Sequence, residues 1–328
     1  MTPLPVRIAG TGVHLPPDVV TNRRLSETLD TSDEWIVHRT GIRERRWLSP
    51  DLATSDMCVA AALSALTAAD CTATDVDVII VATYTYDQPL PSTALIVKEA
   101  LGAFRALTFD ITQAACANGV QALFLGSLLV QTGAARRVLV IAGDSASRVT
   151  DPEDRTTRVF FGDAAGAAVL TRATAPGVGL LGWDFGAELS YDVEIPAGGS
   201  RRPAGATTFA DRLHYLKMNG RTVWDTATRC LPDSVLNATA RAGLTVEEVS
   251  HFFLHQANLN IVRAAMDKLG MPRERAPITV DRLGNTGSAG VFTVLHEGFS
   301  SGVVRPGDVF VVSAIGAGFQ WGTLCFRA

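Results

Sequence analysis

Phe109-Asp110-Ile111-Thr112-Gln113-Ala114-Ala115-Cys116-Ala117-Asn118-Gly119 is the stretch from which the rest of the chain can be read. It joins a strand-like run, residues 107–111, to a long apolar stretch, residues 120–130, that reads as a helix. A cysteine at such a junction sits among backbone N–H groups that lack partners inside the helix and at the positive end of the helix dipole. Both favour thiolate over thiol, so Cys116 is expected to be a nucleophile in search of a carbonyl.

Two clusters far downstream could stand opposite it. His255-Gln256-Ala257-Asn258 closes the apolar run Phe252-Phe253-Leu254, so His255 is the last residue of a buried strand or the first beyond it. Gly284-Asn285-Thr286-Gly287-Ser288-Ala289 is a small-residue loop ahead of another apolar helix. Cysteine, histidine and asparagine on three strand-to-loop junctions is how an α/β fold gathers side chains from distant sequence.

At 328 residues the chain exceeds one ordinary core, so two domains or an internal duplication are expected. With 47% hydrophobic and 19% charged residues it is a globular sequence and not a disordered one. A net charge of −4 gives no reason to expect nucleic acid or an anionic membrane as partner. No apolar run approaches the roughly 18 residues of a membrane span. Met1 to Arg7 lacks the basic-then-apolar order of a signal peptide. Cys58, Cys71, Cys116, Cys230 and Cys325 contain no CxxC pair and are expected to be free thiols of a cytoplasmic protein, all but Cys116 structural.

Strands are expected at 76–82, 107–111, 138–142 and 165–170, and again at 252–254, 278–280, 309–313 and 322–326. Helices are expected at 55–69, 258–269 and 288–298. This alternation argues for α/β layers with buried sheets.

Four motifs are set aside. Gly298-Phe299-Ser300-Ser301-Gly302 fits GxSxG but follows a helix, whereas a nucleophile elbow needs strand then helix. His251 and His255 would be roughly 13 Å apart on a strand, so they share no metal. Gly10-Thr11-Gly12 lacks the rest of a dinucleotide fingerprint. His296, about two helical turns beyond the Asn285 loop, is expected to be structural. No metal site is expected.

Taken in order, the motifs resemble those of the thiolase-like condensing enzymes, and most closely β-ketoacyl-ACP synthase III. The resemblance spans Thr31 to Val37, Arg39-Thr40-Gly41-Ile42-Arg43-Glu44-Arg45, the Cys116 segment, and Asp151 to Gly166 with Phe161-Gly162-Asp163. It continues through His255-Gln256-Ala257-Asn258, Gly284-Asn285-Thr286 and the ending Ile315-Gly316-Ala317-Gly318-Phe319-Gln320-Trp321-Gly322.

The resemblance implies a thiolase-like α/β fold: two similar αβαβα halves, residues 1–175 with the cysteine and 176–328 with the histidine and asparagine, in a five-layered duplicated core. It places the boundary near 174–177, the active site at the junction, and the loop 198–205 over that site. It implies an acyltransferase of the ketosynthase kind, in fatty acid or polyketide biosynthesis, with no cofactor beyond coenzyme A thioesters as substrates. Cys116 would be acylated by an acyl-CoA, and His255 and Asn285 would stabilise the enolate formed as a malonyl thioester loses CO2. One such donor is worth about 3–4 kcal/mol.

The backbone amides of Cys116 and Ala317 would form the oxyanion hole. Trp35, Arg39 and Arg155 would line the pantetheine and nucleotide entrance, while Leu90 would border the acyl pocket of the neighbouring subunit in a homodimer. An acyl carrier protein is a further candidate partner.

The chain departs from the family pattern in three places. Basic residues beside the tunnel mouth give way to Asp225, Asn260 and Asp267, leaving Lys268 and Arg221, and lost charge slows encounter with an acidic carrier. Ile315 stands where a phenylalanine often shields the decarboxylation site. Ala-Asn-Gly follows Cys116 where Ala-Gly-Phe is common. These changes point to specialised metabolism. They keep an alternative open, in which the acyl group passes from Cys116 to an oxygen, nitrogen or sulfur acceptor and His255 is a general base.

Overall fold

The computed structural model describes residues 5–112, 114–175 and 177–328. Leu107–Ile111 is the outermost strand of a five-stranded sheet, followed in space by Val78–Ala82, Arg137–Ser145, Asp163–Arg172 and Val6–His14. The first two neighbour pairs are parallel and the last two antiparallel. A second sheet runs His251–Leu254, Val309–Gly316, Gln320–Arg327 and Gly179–Ala187, with one parallel pair and then two antiparallel. Order and sense repeat strand for strand, except that the second sheet lacks the outermost member. The duplication therefore lies in the topology, where it survives without sequence likeness between the halves.

Alternating strand residues divide the core into layers, as the two-residue period of a strand requires. Ile79, Val81, Leu139 and Ile141 pack outward against Met57, Ala61 and Ala65 of the helix Thr54–Ala68. Ile80, Val138 and Val140 point inward, and so do Phe310 and Val312 of the other sheet. Between them lie Val120 and Leu123 of the helix Asn118–Gln131 and Phe292 and Leu295 of the helix Gly290–Ser300. Phe252, Leu254 and Val311 face Val235 and Ala238 of the helix Gly220–Arg241 and Val262 and Met266 of the helix Leu259–Leu269. Helix, sheet, helix, sheet, helix: five layers, with both central helices shared by the two halves.

Residues 278–280, expected as a strand, are not one. Gln256 Oε1 accepts the N–H groups of Thr279 at 3.0 Å and Val280 at 3.1 Å, so those donors go to a side chain and Val280–Leu283 turns into a short helix. Of the elements that were not read from sequence, three belong to the two main sheets and the helix layer behind the second. Val6–His14 carries a register shift between Ile8 and Gly10, and Gly179–Ala187 carries three glycines, so neither shows clean alternation. Gly220–Arg241 contains Pro232. The connection between Arg172 and Gly179 joins the two sheets, and Pro176 within it lies outside the described residues. Among the described residues no helix is long and apolar enough to cross a membrane.

Candidate active site

Ala115–Ala117 is a single 3-10 turn that runs directly into the helix Asn118–Gln131. The other half repeats the device, with the turn Gly287–Ala289 running into the helix Gly290–Ser300. Cys116 and Ser288 occupy the middle of their respective turns, and Ser288 Oγ donates to Ala115 O at 3.1 Å. Ala115 has φ of +43°, a conformation strained for any residue with a Cβ. Asn118 Oδ1 holds the turn by accepting the Ala114 N–H at 2.8 Å.

The expectation of a resting thiolate is corrected. Burial, with the nearby Asp144 carboxylate, pushes the Cys116 thiol up to about 12 and outweighs the hydrogen bonds that favour the anion. Cys116 is a thiol at rest, its Sγ 3.9 Å from Asn285 Oδ1, and its proton must leave as it reacts.

His255 follows the strand His251–Leu254, and its N–H donates to Ser313 O at 2.8 Å. The rest of its motif fixes the loop. Gln256 Nε2 donates to Leu254 O at 2.8 Å, and Asn258 caps the next helix by accepting the Asn260 N–H at 2.8 Å. The ring lies against the helix start at Gly290, where a Cβ would sit 2.8 Å from Nδ1. Burial lowers its pKa to about 4, so the imidazole is neutral near pH 7. Both ring nitrogens are buried without a hydrogen-bond partner among the described residues.

Asn285 is clamped by its backbone: its N–H donates to Phe160 O at 2.8 Å and its carbonyl accepts the Gly162 N–H at 3.0 Å. The Phe161-Gly162-Asp163 and Gly284-Asn285-Thr286 motifs thus hold one another. Asn285 Oδ1 also accepts the Gly287 N–H at 3.0 Å, so the donor end of the amide is the one available to a substrate oxygen.

Cys116, His255, Asn285, Ile315 and Ala317 line one cavity of about 60 Å³. A Cβ on Gly316 would sit 1.9 Å from Ala114 O and 2.9 Å from the Cys116 nitrogen, so the Gly316-Ala317-Gly318 turn rests on the backbone of the nucleophile. A second, outer cavity of about 700 Å³ is lined by Trp35, His38, Arg39, Arg221 and Trp224, with Met218 shared between the two. Arg155 stacks over Trp35 at 5.5 Å from the ring centroid and is 3.6 Å from Asp30 Oδ2. Indole and guanidinium thus stack directly on each other.

Other expected positions lie apart. Leu90 is 84% exposed and lines neither cavity. The loop 198–205 does not line the site; its flanks do, through Val193, Leu216 and Met218, because Val193–Glu194 pairs with Lys217–Met218 and turns the glycine-rich tip outward. Asp267 binds Arg273 Nε at 2.8 Å and Lys268 binds Asp233 at 3.0 Å, so both charges are spent locally. Asn260 donates to Arg39 O at 3.1 Å, and Asp225 is exposed. His251 Nε2 lies 3.3 Å from Asp308, and His296 Nδ1 lies 3.0 Å from Thr11 Oγ1. Gly298 and Ser300 belong to the end of a helix, and Gly10-Thr11-Gly12 is the interior of a strand.

Sequence reading missed Tyr84, Leu216, Met218, Val223, Ala227 and Leu231, which line the inner cavity with Phe161. Only Tyr84 carried a signal: it follows the buried strand Val78–Ala82, parallel to the strand that leads to Cys116.

Residues 109–188 match the family model described as 3-oxoacyl-[acyl-carrier-protein (ACP)] synthase III, and residues 239–328 match the model of its C-terminal part. The chain is 42% identical over 325 residues to the β-ketoacyl-[acyl-carrier-protein] synthase III of Symbiobacterium thermophilum, covering 98% of each. It is 40% identical over 320 residues to that of Bacillus pumilus, again covering 98% of each. Among solved structures, the 3-oxoacyl-[acyl-carrier-protein] synthase III of Aquifex aeolicus superposes with a TM-score of 0.91 at 37% identity, covering 98% of this chain and 100% of that one. The priming β-ketosynthase of the R1128 polyketide pathway superposes with a TM-score of 0.91 at 31% identity, covering 99% of this chain and 97% of that one. Fold and site define a transferase of the condensing-enzyme class with the thiolase-like fold. The chain belongs to the β-ketoacyl-[acyl-carrier-protein] synthase III family.

Proposed function

We propose that Cys116 is acylated by an acyl-CoA and that the acyl group then undergoes decarboxylative condensation with a malonyl thioester. The observation that carries this reading is a neutral, doubly unpartnered His255 beside Asn285, Cys116 and Ala317 in one buried, mostly apolar cavity. In the first half-reaction Sγ attacks the thioester carbonyl, His255 accepts the thiol proton, the C–S bond to coenzyme A breaks, and the proton passes to the departing thiolate. The Cys116 and Ala317 amides hold the tetrahedral oxyanion.

In the second half-reaction the malonyl C–C bond breaks and its electron pair forms an enolate, whose oxygen takes hydrogen bonds from His255 and Asn285. CO2 departs, and the enolate carbon attacks the acyl-cysteine carbonyl. Collapse breaks the C–S bond to release a β-ketoacyl thioester, and the expelled Cys116 thiolate takes a proton from water to return to the resting thiol. Neutral donors suit this step, since a fixed positive charge would also hold the carboxylate that must leave. The outer cavity, lined by Trp35 and Arg39 with Arg155 stacked on Trp35, is assigned to the pantetheine and nucleotide of the thioester.

A homodimer is part of the proposal. Tyr86, Leu90, Leu95, Phe104, Leu107 and Phe109 are large apolar side chains exposed around the free edge of the first sheet, where a second copy would cover them. Leu90 would then reach the partner's acyl pocket. Free thiols at all five cysteines suit a cytoplasmic enzyme.

A second reading is favoured by one observation, the absence of unpaired basic charge at Asp225, Asn260 and Asp267. In it the acceptor is a small molecule with a nucleophilic oxygen, nitrogen or sulfur, and His255 removes its proton. Intact-mass measurement separates the two, using wild type and Cys116→Ala with a panel of acyl-CoAs and then malonyl-CoA or malonyl-ACP. A wild-type adduct that malonyl thioester discharges with CO2 release supports condensation. An adduct stable to malonyl thioester supports transfer to another acceptor. No adduct from any thioester sinks both.

A further inference from the structure

Among the residues that line the inner cavity, only His255 and Tyr84 carry polar side-chain atoms that are buried without a hydrogen-bond partner among the described residues. His255 has a role in the proposed chemistry. Tyr84 has none so far, and it is placed as deliberately. It stands two residues past the strand Val78–Ala82, whose parallel neighbour Leu107–Ile111 leads to Cys116, so both residues leave the same edge of the sheet. Its backbone N–H is held by Asp144 Oδ1 at 2.9 Å. Its ring packs with Phe161, Val193, Leu216 and Met218, an apolar set with no side-chain acceptor for a phenol.

A buried hydroxyl with nothing to bind costs roughly 1–3 kcal/mol, which a phenylalanine of the same shape would not. The group is also a donor under all ordinary conditions, because burial and the Asp144 charge raise its pKa well above 10. An acceptor carried by the ligand would satisfy it. The cavity, at about 60 Å³, is less than half of the roughly 150 Å³ that holds a benzene ring, so the ligand portion that enters is short.

Resting on the acyl-cysteine reading above, we propose that Tyr84 is a specificity residue that donates a hydrogen bond to an oxygen carried by the primer itself. The class of primer is a short acyl group bearing a keto or hydroxyl oxygen beyond the thioester carbonyl. A site built to bond a substrate oxygen discriminates strongly against the hydrocarbon analogue, since that analogue leaves the donor unpaired, whereas apolar contact alone discriminates weakly.

The test compares Cys116 acylation by 2-hydroxybutyryl-, 3-hydroxybutyryl- and butyryl-CoA, followed by intact mass over time in wild type and Tyr84→Phe. Wild type is expected to favour one hydroxyacyl-CoA over butyryl-CoA by at least tenfold in kcat/KM. In Tyr84→Phe the ratio falls to near one, chiefly through slower hydroxyacyl transfer, while the melting midpoint rises, because the unpaired hydroxyl is gone. Equal or faster reaction with butyryl-CoA in wild type overturns the proposal, and so does a hydroxyacyl preference that survives Tyr84→Phe. Absence of any adduct with all three thioesters sinks this proposal, and the acylation reading falls with it only if every other acyl-CoA of the panel also fails, whereas adducts formed at equal rates sink this one alone.

Discussion

The Ser288 N–H donates to Asp144 Oδ2 at 2.7 Å, across the join between the two halves. The other oxygen of the same carboxylate, Oδ1, accepts from Thr83 Oγ1, the Tyr84 N–H and Thr85 Oγ1 at 2.9, 2.9 and 3.0 Å. One buried carboxylate thus ties the strand end that carries Tyr84 to the turn that supports Cys116. Its folded pKa, about 6, exceeds the ordinary 3.8 because burial outweighs those hydrogen bonds.

Asp144→Asn is expected to slow Cys116 acylation by at least tenfold. An amide has one acceptor oxygen for two sets of donors, so its NH2 must face either Ser288 or the 83–85 turn, and a buried donor left unpaired costs about 1–3 kcal/mol. The linkage has a sign. A carboxyl whose folded pKa is raised loses stability as pH rises from its unfolded to its folded pKa. Between pH 5 and 7 the wild type should therefore lose about 1 kcal/mol relative to Asp144→Asn. Urea titration of both proteins at pH 5, 6 and 7 measures the difference, and a gap that stays constant or widens would contradict the assignment.

The resting state of Cys116 can be read from alkylation. A thiol pushed up to about 12 contains little thiolate at neutral pH, and the thiolate fraction grows tenfold per pH unit well below the pKa. The second-order rate of iodoacetamide labelling at Cys116, followed by peptide mass mapping, should rise about tenfold per unit from pH 7 to 9. A plateau by pH 8 would mean that the thiolate is already formed at rest.

Legibility in the sequence follows physical lines. Cys116 and His255 could be found because each follows an apolar strand, and Asn285 because it lies in a small-residue loop ahead of an apolar helix, all local signals. The thiolate expectation failed because a helix start is visible in sequence while desolvation depends on what folds over it. Residues 278–280 were β-branched and apolar enough for a strand, but Gln256, more than twenty residues earlier, takes their N–H groups. Leu216 reaches the cavity through loop packing that no local pattern encodes, and Tyr84, though it follows a recognisable strand, is tied to the site only by the parallel pairing of that strand with the one leading to Cys116.

Gly316→Ala is expected to remove activity more than stability. The added methyl would lie 1.9 Å from Ala114 O, so the nucleophile turn must shift, and overpacking of this kind costs about 1–3 kcal/mol. Displacing the Ala317 amide from the oxyanion should cost a further 10²–10³ in kcat, the scale of losing one such donor. Thermal melting with single-turnover acylation separates the two effects. A variant that melts lower but acylates at the wild-type rate would place the oxyanion donor elsewhere.

The free edge Leu107–Ile111 yields the prediction that links assembly to catalysis. Leu107 and Phe104 are 59% and 67% exposed at the end of the sheet, an arrangement that soluble proteins avoid by covering the edge or charging it. Leu107→Asp together with Phe104→Asp removes only exposed apolar surface from a single copy, so the monomer should remain folded by circular dichroism. In the dimer the same aspartates would face one another across a desolvated interface, where like charges are costly. Light scattering should show the wild type at twice the chain mass and the double variant at one. Acylation should fall with dimer content if Leu90 completes the partner's pocket. A double variant that stays dimeric would move the interface off this edge, and a fully active monomer would leave Leu90 without a role in the neighbouring site.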